Sequence, residues 1–392
     1  MNKKLIAIAV AAGLAPMAAQ AEPTLYGQLQ VEVASYDDGK ETKANDAKGT
    51  PASGRMKTDD NKRGRLGVKG SEDLGNGMSA IYNFEWQIET TQGDVKDGNR
   101  VGMVGLKGGF GTVMAGALKT PYKYYGGVKY DPFVTTFMEA RSRGGMSGKY
   151  TDGSKDWGAS SLKDAKLSGS PSGANGHHGF MTDAISYKNK FGALEIWANI
   201  SLDEDGGSKG ADGDMNLGAK FSGGNFEAFV AMAHDDQVKV SAGGTLGSIT
   251  KGSVSLAEYD ATKFGGMFKM GPHKIKAQIE MTELAYKSYY DGATATKETD
   301  TDVKEGDVMF LGYELAMGSN IIAVNYGATE IKDKSTGFAD VKTTIDYLAV
   351  GAIHKFSKKT RAFAGYSTSE KKVGTGKAVE EDVISVGLRV DF

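Results

Sequence analysis

DVISVGLRVDF, residues 382–392, ends the chain. Ile384, Val386, Leu388, Val390 and Phe392 are apolar, while Ser385, Gly387, Arg389 and Asp391 between them are polar or small. Alternation carried to the last residue means a strand with one greasy face and one wet face. Soluble chains rarely leave a bare aromatic at the edge of a sheet. A chain that closes its last strand on its first, inside a membrane, has reason to.

Working back from that end, the same period of two returns along the chain. Leu29, Val31 and Val33 alternate with Gln28, Gln30 and Glu32, and Tyr82, Phe84, Trp86 and Ile88 with Asn83, Glu85, Gln87 and Glu89. Leu194, Ile196, Ala198 and Ile200, then Ile275, Ala277, Ile279 and Met281, then Met309, Leu311 and Tyr313 follow the rule. Turn sequences rich in Gly and Asn separate alternate pairs of strands: LGNG at 74–77, KGGFG at 107–111, NKFG at 189–192, SGGN at 222–225, GPH at 271–273, GSN at 318–320 and SKK at 357–359. Gly and Asn supply the positive φ of tight hairpins. The opposite connections are long and polar: 36–62, 91–98, 119–179, 204–213, 236–256, 290–305, 332–341 and 369–380.

Seven short turns and eight long loops join sixteen strands. These are expected at 24–36, 63–72, 78–91, 99–107, 110–119, 180–190, 192–203, 214–222, 225–235, 257–270, 273–289, 306–317, 320–331, 342–356, 359–368 and 381–392. Segments 110–119, 257–270 and 342–356 alternate poorly and leave their facing open. Short turns at one end and long loops at the other are the asymmetry of an outer-membrane barrel. The expected fold is all-β: a 16-stranded antiparallel transmembrane β-barrel with short periplasmic turns and long external loops. About 9–11 tilted residues cross the hydrocarbon, and sixteen strands leave a lumen too wide for side chains to fill.

Residues 1–21 read as a cleaved signal peptide. Lys3 and Lys4 precede the apolar run from Leu5 to Ala19, and Ala19-Gln20-Ala21 fits an A-x-A cleavage site. Residues 22–392 are then a single barrel domain, exported to the outer membrane of a Gram-negative bacterium. No other stretch approaches the ~20 apolar residues of a spanning helix. Cys is absent, Gly reaches 55 and Pro 7, and loss of Lys3 and Lys4 takes the formal charge from −2 to −4. That balance gives no field that would favour nucleic acid.

Arg63, Arg65 and Lys69 fall on one face of RGRLGVKGSED (63–73), Arg100 follows two strands later, and Lys119 and Lys123 follow the next. Neighbouring strands could hold these as a basic column on the lumen wall. The connection 119–179 is too long for an ordinary loop and carries Asp131, Glu139, Asp152, Asp156 and Asp164. Folded inward, with the 119–145 half as the inward part, it would narrow the pore and set acids across from the basic wall. The expected constriction is therefore Arg63, Arg65, Lys69, Arg100, Lys119, Asp131 and Glu139. The adjacent His177 and His178 read as surface histidines, not metal ligands, and GVKGSEDLG lacks the helix that a phosphate loop needs. Neither a cofactor nor a catalytic residue is expected, because no nucleophile stands beside a base.

Six segments carry a resemblance: TLYGQLQVEV (24–33), GRLGVKGSEDLGNGMSAIYNFE (64–85), NRVGMVGLKGGFGTVMAGALKTPY (99–122), AISYKNKFG (184–192), HKFSKKTRAFAGYS (354–367) and ISVGLRVDF (384–392). In order along the chain, they resemble the general trimeric porins of Gram-negative bacteria, typified by neisserial porins. The resemblance implies a homotrimer, a third external loop folded into each pore, and passive diffusion of ions and small hydrophilic solutes; the alternative is a substrate-selective channel, for example for anions or carboxylates. It implies that Arg65 and Arg100 line the constriction, and that Phe392 is the terminal signal read by the outer-membrane assembly machinery. Outer-membrane lipid and lipopolysaccharide are the expected surroundings. Related porins often carry R-x-x-N-S-I-x-Y before the sixth strand, where this chain has Phe180, Asp183 and Ala184, so strong anion selectivity does not carry over. The resemblance also suggests barrel-to-barrel contacts mainly from the early strands and the last, with Val101, Met103, Val113, Ala115 and Ala117 as outward candidates. Two readings from other classes remain, a surface interaction protein working through its long loops and an outer-membrane hydrolase.

Overall fold

The computed structural model describes residues 23–37, 55–61, 64–146, 165–166, 180–201, 214–242, 254–290, 295–296, 303–333 and 341–392. Residues 1–21, expected to be a cleaved leader, Arg63, the stretch around Asp152, Asp156 and Asp164, and His177 and His178 lie outside the described residues.

Sixteen strands form the barrel: β1 Thr24–Asp37, β2 Gly64–Gly75, β3 Met78–Glu89, β4 Asp94–Gly108, β5 Gly111–Lys119, β6 Phe180–Phe191, β7 Leu194–Ser201, β8 Met215–Gly223, β9 Phe226–Ala242, β10 Val254–Met270, β11 His273–Tyr290, β12 Val303–Met317, β13 Asn320–Asp333, β14 Val341–Lys355, β15 Thr360–Val373 and β16 Val379–Asp391. Each pairs antiparallel with its chain neighbours, and β1 pairs with β16 through Gln28↔Asp391, Val33↔Val386 and Asp37↔Asp382. The sheet is therefore a closed ring. Gly192, Gly224, Gly271 and Gly318 take φ values of 61°, 55°, 58° and 59° in the short turns, the conformation those glycines were expected to supply.

The polarity of a soluble protein is inverted. Ile279, Leu311, Val324, Leu348, Ile384 and Val386 are exposed on the outer face, while Gln28, Gln30, Ser186, Asn199, Asn216, Gln278 and Asn325 are buried on the inner one. Phe191, Phe221, Phe226, Phe268 and Phe356 are exposed beside the short turns, forming an aromatic girdle where hydrocarbon meets headgroups.

Three details depart from the expected strand plan. Strands β9 to β11 run longer than the hydrocarbon requires, because backbone pairing continues past the alternating stretch. Arg55–Asp59 already pairs with β1 (Glu32↔Asp59, Tyr36↔Arg55), so the second strand is broken and does not begin at 63. Asn61 at φ 51° and the Asp59 carboxylate, which accepts from the Asp60 and Asn61 amides, make the break. The third departure is a bulge in β4. Glu85 of β3 faces Val101, and Trp86 faces Asn99, so Arg100 has no residue opposite. Strict alternation would set Arg100 outward with Val104 and Leu106; the extra residue re-aims it toward Glu85. Two of the outward candidates are corrected as well: Val101 and Met103, in regular register and in opposite phase to the outward Val104 and Leu106, face inward with Glu85 and Asn83, whereas Val113 and Ala115 are exposed outward.

The third external loop folds into the barrel. Thr120 caps a single helical turn, α1 Pro121–Tyr124, and two 3₁₀ turns follow at Gly127–Lys129 and Ala140–Ser142. Tyr122, Phe133, Met138 and Ala140 are fully buried against the inner wall. This contact accounts for the weak alternation of β14: Ile345 and Tyr347 point inward yet are apolar, because Gly144 and Gly145 of the loop lie on them. At Gly327 of β13 the approach is closer still, since a Cβ there would stand 2.3 Å from the Gly145 Cα.

The seam is equally tight. Gly27 and Phe392 exchange two backbone hydrogen bonds of 3.1 Å, and a Cβ on Gly27 would meet the Phe392 ring at 2.4 Å and the Arg65 carbonyl oxygen at 2.7 Å. Gly27→Val is expected to destabilise the folded barrel by about 1–3 kcal/mol. Heat-modifiability on gels should show unfolding at lower temperature than in Gly27→Ser, whose smaller side chain intrudes less; equal mobility transitions for Gly27→Val and the parent chain would refute the packing argument.

Candidate functional site: a cation-lined lumen

A chain segment inside a wet barrel must find partners for its backbone, and the inner wall supplies them. Asn216 accepts from the Tyr122 amide (2.9 Å), Gln278 from Gly127 (2.6 Å) and Glu32 from Phe137 (3.1 Å). Gln30 donates to the Thr135 carbonyl (2.7 Å), Lys276 to that of Tyr130 (2.7 Å), Thr329 to that of Gly144 (2.6 Å) and Tyr347 to that of Met138 (2.5 Å). Three loop tyrosines donate their hydroxyls to wall glutamates: Tyr122 to Glu280 (3.1 Å), Tyr125 to Glu195 (2.8 Å) and Tyr130 to Glu227 (3.2 Å). Asn61 donates to the Thr136 carbonyl (2.8 Å), tying the broken second strand to the loop tip.

Beside this loop lies a water-accessible cavity of about 560 Å³. Eleven of its lining residues are cationic and three are acidic. The wall contributes Arg65, Arg100, Lys220, Lys269, Lys274, Lys276, Arg361 and Arg389, and the loop contributes Lys123, Lys129 and Arg141; the acids are Asp131, Glu227 and Glu314. Arg65 donates to the Gln28 side chain. The Arg100 Nε donates to Glu85 Oε1 at 2.6 Å, and Lys274 and Lys276 share Glu314. Arg361 and Arg389 stand directly opposite one another across β15 and β16, an arrangement of like charges that costs stability. Arg389 is partly compensated by Asp391 at 2.8 Å.

The residues expected from sequence divide. Arg65, Arg100 and Asp131 come to the one cavity. Lys69 stands nearer the periplasmic turn, its ammonium 5.0 Å from the Tyr26 ring centroid, and Lys119 approaches the Tyr124 ring at 5.6 Å; neither is in the lining. Glu139 is buried and serves its own loop, accepting from the Thr135 amide (2.9 Å) and from Arg141 and Ser142. Asp131 accepts from the Phe133 and Ala140 amides and from Asn325, each at 2.8 Å. Asp131 and Glu139 thus fold the loop, whereas its Lys123, Lys129 and Arg141 line the cavity. Lys220, Lys274, Lys276, Arg361 and Arg389 went unassigned. Each occupies the polar phase of an alternating strand, which showed that it points inward but not how high it stands.

A profile of the Gram-negative porin family matches residues 5–374. The chain is 24% identical over 418 residues to the major outer membrane protein P.IA of Neisseria meningitidis serogroup C, covering all of both chains. It is 38% identical over 131 residues to the P.IB protein of Neisseria gonorrhoeae, a match spanning 32% of this chain and 34% of that one. Among solved structures it is similar to an anion-selective porin from Comamonas acidovorans (TM-score 0.66, 19% identity, 95% of this chain and 100% of that one). It is also similar to the trimer form of OmpT from Vibrio cholerae (TM-score 0.61, 15% identity, 95% and 100%). A closed sixteen-stranded barrel with an inward third loop and a wet lumen defines an outer-membrane channel. The chain belongs to the Gram-negative porin family.

Burial pushes the Asp131 carboxyl from its ordinary 3.8 up to about 6, against the opposing pull of its backbone donors. The native chain therefore holds this proton more tightly than the unfolded one. The resulting stabilisation is complete below the ordinary value and is lost as pH rises through about 6. Asp131→Asn points an amide N–H₂ at backbone donors and is expected to loosen the loop by about 1–3 kcal/mol. Open-channel current noise should rise in this variant, and the gap in melting temperature between parent and variant should widen as pH falls from neutral toward 4. A gap that narrows would contradict the assignment.

Proposed function

We propose that the chain is a general diffusion porin with a graded preference for anions, passing ions and small hydrophilic solutes without altering them. The observation that carries this reading is the eleven-to-three excess of cationic over acidic side chains around the lumen cavity. A cation ~6 Å from a permeating ion contributes about 0.7 kcal/mol in water, and salt screens it beyond about 8 Å. Several such cations bias permeation several-fold without binding any one ion so tightly that it stalls. That favours a general anion preference over a dedicated carrier of one solute. Permeation of this kind requires no covalent chemistry.

In this reading Arg65 and Arg100 form the wall side of the constriction, and Lys129 and Arg141 form the loop side. Lys69 and Lys119 add to the field from outside the narrowest gap, and Asp131 and Glu139 keep the loop in position. The description of the Comamonas acidovorans relative as anion-selective agrees with this. The trimer form recorded for OmpT supports a homotrimer here, and the outward Val113 and Ala115 are small enough for barrels to approach closely. Export by the 1–21 leader, assembly through the terminal Phe392 and a surround of lipid and lipopolysaccharide complete the proposal.

Arg65→Ala combined with Arg100→Ala should raise single-channel conductance and move the reversal potential in a salt gradient toward cations by an amount corresponding to a several-fold loss of anion preference. A reversal potential unchanged in planar bilayers would remove both arginines from the constriction.

A further inference from the structure

Cations and aromatic faces alternate along one side of the lumen. The Arg100 guanidinium carbon lies 5.1 Å from the Phe180 ring centroid, and the Lys123 ammonium lies 4.2 Å from it. The same Lys123 nitrogen is 6.0 Å from the Tyr124 centroid, which Lys129 and Lys119 approach at 5.5 and 5.6 Å. Phe180 is the residue that stands where related porins often carry a basic side chain, so the wall here trades a charge for a ring.

Tyr124 differs from its neighbours on the loop. Tyr122, Tyr125 and Tyr130 tie their hydroxyls to wall glutamates. The Tyr124 hydroxyl makes no hydrogen bond among the described residues, and the side chain lines the cavity. Nor do Lys119 and Lys129 have a carboxylate within ion-pair distance among those residues. A track for chloride needs only the cations. Rings set between cations add a second kind of attraction: an aromatic solute can place its electropositive edge on a π face while its charge meets the ammonium groups.

We propose that this side of the lumen is a binding site for aromatic carboxylates, with the solute ring against Tyr124 and Phe180 and its carboxylate among Arg100, Lys123 and Lys129. The proposal rests on the anion-preferring channel described above and deepens it by naming a solute class. It makes the pore slightly retentive for such solutes, so they enrich in the constriction and slow smaller anions behind them.

Benzoate and cyclohexanecarboxylate carry the same charge near neutral pH and nearly the same bulk, and only benzoate has a π system. With the full-length protein in planar bilayers, benzoate is expected to block the chloride current at about fivefold lower concentration than cyclohexanecarboxylate. Tyr124→Phe keeps the ring and should keep the difference; Tyr124→Leu and Phe180→Leu should each reduce it. Should the loop fail to fold in Tyr124→Leu, Phe180→Leu and the two-probe comparison in the parent channel still decide. Equal block by the two probes in a channel whose reversal potential favours chloride overturns the aromatic site and leaves the anion preference standing. A benzoate preference undiminished in both leucine variants overturns the residue assignment. A reversal potential that favours cations removes the anion preference and the aromatic site together.

Discussion

Hydrocarbon offers no partner to a peptide group, and an unsatisfied amide or carbonyl there costs several kcal/mol. That constraint organises the molecule. An open sheet of fifteen pairings would still leave two edges exposed, so the pairing of β1 with β16 is the contact on which the others depend. The seam is finished by the last residue itself, whose amide and carbonyl bond to Gly27 and whose ring lies where a Cβ of Gly27 would project. Closure also explains the chemistry of each face. Once the ring is sealed, the outer surface has only to be apolar and the inner surface is free to be polar.

The inward loop creates the opposite difficulty, a non-repetitive backbone brought inside a barrel. Its solution uses the polar inner face. Gln30, Glu32, Asn216, Gln278, Thr329 and Tyr347 would be hydrated in an empty barrel; instead they bond the loop's amides and carbonyls. Glutamates anchor three tyrosines, and Asp131 and Glu139 close the loop on itself. Acids are thus consumed by structure, and the cations are left facing water. The field in the lumen follows from how the loop is held as much as from the formal count of charges, which over the whole chain is slightly negative.

This division also explains what could be read from sequence. Alternation exposes facing wherever one side meets lipid and the other water, as in Ile275 to Met281 or Ile384 to Phe392, and the turn glycines mark the periplasmic end. It blurs at 342–356, where Ile345 and Tyr347 are apolar on the inner face because the loop covers them. It misleads at Arg100, where one extra residue in β4 turns inward a side chain that strict alternation with Val104 and Leu106 would set outward. Period two reports the side of the sheet but is blind to height. Lys274 and Arg389 could be recognised as inward-facing, yet their convergence on one cavity depends on strand tilt and register across the closed ring. The roles of Asp131 and Glu139 were hidden for another reason: a loop acid facing water and one bonding its own backbone look alike in a sequence.

Arg361 and Arg389 bring the competing demands together. Two guanidinium groups directly opposed on neighbouring strands repel one another, and among the described residues Arg389 pairs with Asp391 while Arg361 has no carboxylate within ion-pair distance. A barrel selected for stability alone would place an opposite charge or a hydrogen-bonding pair there. The wet lumen makes the arrangement tolerable, since water at high dielectric reduces the repulsion of two charges ~4 Å apart to about 1 kcal/mol. The same groups turned to lipid would cost about 2–4 kcal/mol each at the bilayer midplane. Unpaired cations can therefore accumulate on the inner face at small expense, and the charge left uncompensated there is what a passing anion meets. Pairing each of them with an acid would strengthen the wall and extinguish the field.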